Sequence, residues 1–201
     1  MNESLSDSEE DIALAQDFLR QNLPCPVVLL GMTGSGKTSI GRALADRLGC
    51  SFADSDAHIE SQAGCSVRDI FENQGESAFR AWEARVILKL LADQTGIIAI
   101  GGGALMNPVL QSRILESPDV IAVWIRPDLD VLCARLREDT TRPLLQRVDL
   151  GADLEARLRT MMEQRAPVYA RAHVCVPMHT DDLNQNLNKL MECLYAYILA
   201  R

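Results

Sequence analysis

The sequence predicts an α/β fold in which a five-stranded parallel sheet is flanked by helices on both faces. Short segments of only apolar residues, such as residues 27–30 and 97–100, alternate along the chain with longer segments of helical periodicity. An apolar strand between two helices is typical of a parallel sheet that is buried on both faces. A glycine-rich turn joins the first strand to the helix that follows it, which is a further mark of this fold class.

Each element follows from the local pattern. Residues 1–24 are acidic and form an N-terminal appendage, in which Ala15, Phe18 and Leu19 share one face of a predicted helix, and residues 25–201 form the main domain. Strands are predicted at residues 27–30, 51–54, 97–100, 120–125 and 173–176. Helices are predicted at residues 40–48, 57–63, 66–93, 108–116, 129–137, 152–166 and 183–198. Residues 139–149 have no periodicity, which predicts a mobile surface loop.

The composition excludes several classes of protein. The 201 residues include 28 acidic and 20 basic side chains, so the formal net charge is −8, and 47% of the residues are hydrophobic. This apolar content excludes extensive disorder, and the negative charge disfavours nucleic acid and membrane surfaces as partners. No apolar run reaches the roughly 18 residues of a membrane span. Six dispersed cysteines, interpreted as reduced thiols, and an acidic start unlike a secretory signal predict a cytoplasmic protein.

The strongest local motif is a phosphate-binding loop. Residues 31–38 are Gly-Met-Thr-Gly-Ser-Gly-Lys-Thr and match the pattern G-x-x-x-x-G-K-[ST] between a strand and a helix. Its glycines let backbone N–H groups face one anion, Lys37 supplies a charge for the phosphates, and the Thr38 hydroxyl is suited to Mg²⁺. The motif predicts a purine triphosphate with magnesium; the alternative is a glycine-rich turn with a surface lysine. The residues assigned to nucleotide contacts are Gly34, Ser35, Gly36, Lys37, Thr38 and Ser39.

The acceptor of the phosphoryl group must be inferred from other residues, because such loops also occur in ATPases and GTPases. The chain lacks the guanine-recognition pattern Asn-Lys-x-Asp, and the apolar run at residues 97–100 is followed by three glycines rather than an aspartate. Asp54 and Asp56 end the second strand, whose carboxyl end faces the same crevice as the phosphate loop. One carboxylate is suited to the magnesium shell and the other to an acceptor hydroxyl. The alternative is that both only cap the following helix.

Six blocks of the sequence stand out, at residues 31–38, 54–56, 70–83, 101–103, 142–145 and 165–169. In order and spacing they resemble the blocks of shikimate kinases. The resemblance covers about residues 26–178 and implies a P-loop fold of nucleoside-monophosphate-kinase type with a lid at about residues 139–149. It implies transfer of a phosphoryl group from ATP to the 3-hydroxyl of shikimate, in the route to chorismate and aromatic amino acids.

The resemblance implies roles for individual residues at the acceptor. Arg80 and Arg165 bind the carboxylate of shikimate, which suits the paired donors of a guanidinium group. Asp56 binds the hydroxyls and orients or deprotonates the 3-hydroxyl. The glycines that bring the backbone close to the substrate ring, where a side chain would collide, are Gly101, Gly102 and Gly103.

The resemblance also implies roles at the nucleotide. Arg142 closes over the phosphates with the lid, and Arg135 lies against the adenine. The residues expected in catalysis are Lys37, Asp56 and Arg142, and those expected at the metal are Thr38 and Asp54.

Each arginine and glycine block is also compatible with a purely structural role. Arg80 lies near Glu76 and Glu83 at helical spacing, which is also typical of a surface ion-pair ladder, and Arg165 is also typical of a cation near a helix C-terminus. The three glycines also suit a simple turn after a strand. For the whole chain, a kinase of the same fold for gluconate or an aminated shikimate analogue would use the same arginines. A catalytically silent nucleotide-binding homologue is the alternative outside the enzymes, and we expect a monomer.

Overall fold

The computed structural model describes residues 7–23, 26–94, 96–138 and 152–201. Within these residues the strands are β1 (Val27–Leu30), β2 (Phe52–Asp54), β3 (Ile97–Ala99), β4 (Ile121–Pro127) and β5 (Val174–Met178). The helices are α1 (Asp7–Asn22), α2 (Lys37–Leu48), α3 (Ser55–Ala63), α4 (Val67–Ala92), α5 (Pro108–Leu115), α6 (Leu129–Glu138), α7 (Ala152–Tyr169) and α8 (Leu183–Leu199). A short 3₁₀ helix, Ala104–Met106, follows β3.

The strands of the described chain form one parallel sheet in the order β2-β3-β1-β4-β5. The central strand is β1, in which Val27 lies beside Ile97 of β3 and Ile121 of β4. Since the strands are parallel, their carboxyl ends lie at one edge of the sheet. The order reverses at β1, and the crevice at such a reversal is where ligands of these sheets bind. The α/β fold class with five parallel strands, predicted from the sequence, is confirmed.

The sheet is covered on both faces, as its apolar strands predict. Val28 and Leu30 pack in a core that includes residues of α4 to α7. Val27 and Leu29 pack in a second core with residues of α1, α2 and α8. All four side chains of β1 are at most 1% exposed, and burial of each contributes about 1.5–3 kcal/mol. The phosphate loop therefore starts from the most firmly packed strand.

The helix predicted within residues 1–24 is α1, which packs against α8 and α2. Ala15 and Leu19 are almost fully buried on its inner face, and Arg20 Nε donates a hydrogen bond of 3.0 Å to the Arg47 carbonyl at the end of α2. The division of the chain into an appendage and a main domain stays a prediction.

One local feature differs from the sequence analysis. Residues 66–93 were expected to form an uninterrupted helix, but α4 is kinked at Gly75, whose φ of 82° and ψ of 171° are not helical. Apolar periodicity continues on both sides of the kink, so the pattern does not reveal it. The surface loop predicted at residues 139–149 lies outside the described residues. None of the helices in the described part of the chain is long and apolar enough to cross a membrane.

Candidate active site

The phosphate loop has the backbone geometry that its glycines allow. Gly34 and Gly36 have φ values of 76° and 86°, in the left-handed region that disfavours other residues. The Lys37 ammonium donates hydrogen bonds of 3.0 and 2.8 Å to the carbonyls of Gly31 and Met32, so it lies across the loop. Because Gly36 precedes α2 and offers no side-chain cap, the first N–H groups of α2 are suited to an anion.

Asp54 makes a different contact with each carboxylate oxygen. Oδ1 accepts hydrogen bonds of 3.0 and 3.4 Å from the backbone N–H groups of Asp56 and Ala57, so Asp54 caps α3. Oδ2 accepts a hydrogen bond of 2.6 Å from the Thr38 hydroxyl. The cap leaves this second oxygen beside the phosphate loop, so capping and the predicted metal role do not exclude each other. The Thr38 hydroxyl and Asp54 Oδ2 fit Mg²⁺, which prefers oxygen donors and is usually held by few protein groups.

The three glycines after β3 bring the predicted acceptor residues together. The space that a β-carbon would take at each glycine is bordered by these residues. At Gly101 this β-carbon would lie 2.5 Å from Glu83 Oε1 and 3.3 Å from Asp56 Oδ1. At Gly102 it would lie 3.0 Å from the Thr33 backbone nitrogen and 3.4 Å from Arg165 Nη1.

The third glycine completes this arrangement. At Gly103 a β-carbon would lie 2.7 Å from Arg80 Nη2. Side chains at these three consecutive positions would thus meet both predicted carboxylate-binding arginines, the predicted acceptor aspartate and the phosphate loop. A turn that only ended a strand would not require these contacts.

Arg80 is held by two carboxylates of α4. Its Nη2 lies 3.1 Å from Glu76 Oε1, and its Nη1 lies 2.7 Å from Glu83 Oε2. The Glu76 side chain is 68% exposed and that of Glu83 is 1% exposed. The ion-pair ladder suggested by the sequence is thus present, but one end of it is buried beside Gly101 rather than solvated.

Glu83 is the acceptor-site residue that sequence reasoning treated only as an ion-pair partner. Its Oε1 has no hydrogen-bond partner among the described residues. Burial raises the pKa of the Glu83 carboxyl, and the hydrogen bond from Arg80 acts in the opposite direction. Asp56 and Arg165 also act electrostatically on this carboxyl. Glu83 is therefore part of the charge balance around the three glycines.

Arg165 is positioned by different neighbours. Its Nη1 lies 3.7 Å from Met32 Sδ. Tyr169, one turn later on α7, donates its hydroxyl to the Gly102 carbonyl. Burial raises the pKa of the Tyr169 phenol, so it remains a donor at neutral pH. The sequence did not identify Tyr169 as a site residue, although it ends the last block of the family pattern.

Arg135 lies beside the phosphate loop. A β-carbon at Gly36 would lie 3.3 Å from Arg135 Nη1. Arg135 Nε donates a hydrogen bond of 2.6 Å to Asp181 Oδ1, in the loop between β5 and α8. Asp181 was also missed by sequence reasoning. Arg142, predicted on the lid, lies outside the described residues.

A cavity of about 720 Å³ lies beside the phosphate loop. Cavities of roughly 300–1,000 Å³ suit small-molecule substrates. Among the residues that line it are Gly34, Ser35, Gly36, Lys37, Thr38, Ser39, Asp54, Asp56, Gly101, Gly102, Arg135 and Asp181. Gly103, Arg80 and Arg165 are not part of this lining; Arg165 lies near Gly102, which lines the cavity, and Arg80 lies near Gly103.

The fold and the site define a P-loop kinase, because a nucleotide loop adjoins an acceptor site with arginines and a carboxylate. The sequence model of the shikimate kinase family matches residues 33–195. The chain belongs to the shikimate kinase family.

Similar proteins support this membership over most of the chain. A shikimate kinase of Ruegeria pomeroyi is 47% identical over 150 residues, covering 75% of this chain and 74% of the relative. A shikimate kinase of Paramagnetospirillum magneticum is 36% identical over 189 residues, covering 94% of both. The solved structure of shikimate kinase from Acinetobacter baumannii in complex with shikimate has a TM-score of 0.75 and 30% identity, covering 92% of this chain and 97% of that one.

Proposed function

We propose that this protein transfers the γ-phosphoryl group of ATP to the 3-hydroxyl of shikimate, giving shikimate 3-phosphate and ADP. The observation that carries the proposal is that Asp56, Arg80 and Arg165 occupy the space that side chains at residues 101–103 would need, beside the phosphate loop. Shikimate has one carboxylate and three hydroxyls. The guanidinium groups of this arrangement suit the substrate carboxylate, and its aspartate suits the hydroxyls. The similarity to a structure with bound shikimate supports the same conclusion.

The nucleotide is assigned to the phosphate loop. Lys37 would contact the phosphates and Arg135 would lie against the base, while Thr38 and Asp54, joined by a hydrogen bond of 2.6 Å, would hold Mg²⁺ with their oxygens. When bound, the metal neutralises charge on the phosphates. Arg142, by resemblance, closes over the same phosphates with the lid.

The acceptor is assigned to the residues around the glycines. Arg80 and Arg165 fix the substrate carboxylate, and Asp56 accepts a hydrogen bond from the 3-hydroxyl and orients it toward the γ-phosphate. Positioning and neutralisation of charge contribute most of the acceleration in phosphoryl transfer. We further propose that the protein acts as a monomer in the cytoplasm, without nucleic acid or membrane.

The test is an assay of ADP release with a panel of acceptors. Purified protein is supplied with MgATP and either shikimate, aminoshikimate, gluconate or no acid, and the products are identified by ³¹P NMR. We expect shikimate to give the highest kcat/KM and a new phosphate monoester at its 3-hydroxyl. The control is K37A, which we expect to lose ATP affinity and turnover with every acceptor.

Two outcomes would contradict the proposal. A higher kcat/KM for gluconate or aminoshikimate would assign the site to another hydroxy acid. ATP binding without phosphorylation of any acid would favour the silent nucleotide-binding homologue.

A further inference from the structure

We propose that Asp181 is a positioning residue for the nucleotide, which acts by fixing the guanidinium group of Arg135 before ATP binds. This inference rests on the proposed function, because it takes the cavity beside Gly36 as the nucleotide site. Nothing in the phosphate-loop motif points to Asp181, which is 46 residues beyond Arg135 in the chain.

The contact between the two side chains is close and spans two elements. Arg135 is on α6 and Asp181 is in the loop after β5, and both line the same cavity as the phosphate loop. The Nε–Oδ1 distance is 2.6 Å, and Arg135 Nη2 also lies 3.4 Å from the Thr180 carbonyl. The guanidinium group is therefore held from one side, and its Nη1 lies toward Gly36.

The loop that carries Asp181 is itself anchored. The buried Asn186 donates from Nδ2 to the Thr180 carbonyl at 2.9 Å. Asp182 caps α8 by accepting hydrogen bonds of 2.8 and 3.0 Å from the backbone N–H groups of Asn184 and Gln185. Thr180 and Asp182, which flank Asp181, are therefore both held by hydrogen bonds. The backbone at Asp181 is fixed in this way, so its carboxylate can hold Arg135 in one position.

Holding an arginine in this way changes the free energy of nucleotide binding. An arginine side chain has about 2 kcal/mol of rotamer entropy, which is lost when it is ordered against a ligand. Because the Arg135 side chain is only 23% exposed, its ion pair is screened less than a fully solvated one. Arg135 is thus ordered in the absence of nucleotide, and part of the entropy is lost before binding. The effect should appear in the affinity for ATP and not in the chemical step.

The experiment compares D181N, R135M and the double variant D181N/R135M. We expect D181N to raise the KM for ATP and the Kd for ADP by about fivefold, with kcat and the KM for shikimate changed by less than about twofold. R135M should raise the KM for ATP at least as much. The double variant should be no worse than R135M, because Asp181 acts through Arg135.

Two further variants define what the carboxylate does. D181E keeps the charge and should recover most of the ATP affinity lost in D181N. The matched control is E116Q, which removes an exposed ion pair of 2.7 Å with Arg171 that lies outside the cavity lining, and it should leave all constants unchanged. The 65% exposure of the Asp181 side chain leads us to expect normal folding of the variants, which thermal unfolding will check.

The failures are distinguishable. If R135M raises the KM for ATP and D181N does not, or if their effects add, Asp181 is not a positioning residue and the proposed function stands. If neither variant alters nucleotide affinity, Arg135 does not lie against the base and the inference fails with it, whereas the assignment of the nucleotide to the phosphate loop is tested separately by K37A. An equal loss of kcat and of shikimate affinity in D181N would indicate general disruption and overturn the inference.

Discussion

Replacing Gly101 with alanine tests the packing at the centre of the acceptor site. Gly101 is not among the glycines with a positive φ, so its backbone conformation does not itself exclude alanine. The added methyl group would lie 2.5 Å from Glu83 Oε1 and 3.3 Å from Asp56 Oδ1. The first distance is well inside van der Waals contact, so the Glu83 carboxylate must move.

The magnitude follows from what holds Glu83. Its carboxylate can turn, but the side chain is 1% exposed and Oε2 is bound to Arg80 at 2.7 Å. Overpacking of this kind costs about 1–3 kcal/mol, and complete loss of a buried charge pair costs about 3–5 kcal/mol. Because the carboxylate retains some freedom to rotate, we expect G101A to lower the free energy of unfolding by about 2 kcal/mol. The KM for shikimate should rise about tenfold, since Arg80 and Asp56 are both displaced.

The assay combines urea unfolding with steady-state kinetics. E83D shortens the side chain that meets the methyl group, so G101A/E83D should be less destabilised than the sum of the single variants. The KM for ATP should stay within about twofold in G101A, because the phosphate loop meets Gly102 rather than Gly101. A loss of stability below about 0.5 kcal/mol with an unchanged KM for shikimate would refute the reasoning.

Three further variants test single residues. D56N should lower kcat by at least about 100-fold in the ADP-release assay, with the calorimetric Kd for ADP unchanged; an active D56N enzyme would remove the acceptor role of Asp56. L19A on α1 should lower the unfolding free energy by about 2–5 kcal/mol in urea without changing kcat, since Leu19 is fully buried away from the cavity; equal stability would contradict the packing of α1. Burial raises the folded-state pKa of Glu83 above its ordinary value of 4.5. The stabilisation of the folded state that protonated Glu83 contributes is therefore full below pH 4.5 and is lost as the pH rises through the raised pKa. The stability of E83Q relative to the unmodified protein should therefore increase from about pH 4 to about pH 8 in urea titrations, and a decrease would reverse the assigned direction.

The fold could be predicted from the sequence because its information is local. Four consecutive apolar residues in β1 can be buried only if both faces of the sheet are covered, and the helices on either side supply that cover. The phosphate loop is equally local, since eight adjacent residues contain its turn, its lysine and its hydroxyl. The kink at Gly75 was missed because a single glycine with positive φ leaves the apolar period intact.

The acceptor site was harder to predict because the spacing of charged residues in the sequence does not show which of them are buried. Glu76 and Glu83 both lie within one helical turn of Arg80 and look equivalent in sequence. The structure makes one 68% exposed and the other 1% exposed, because only Glu83 faces Gly101. Asp181 had no local signal at all, since its contact with Arg135 depends on the pairing of β4 with β5.

The two predicted carboxylate-binding arginines differ in their contacts. Arg80 lies against the carboxylates of Glu76 and Glu83, whereas the contacts of Arg165 include the Met32 thioether and the Tyr169 hydroxyl. An anionic substrate that binds beside Asp56 meets repulsion from that carboxylate, and the guanidinium groups offset it. We therefore expect Arg165 to supply more of the attraction and Arg80, fixed by Glu83, to supply more of the orientation. The buried Glu83 carboxylate fits this division, because one oxygen holds Arg80 while the other has no hydrogen-bond partner among the described residues.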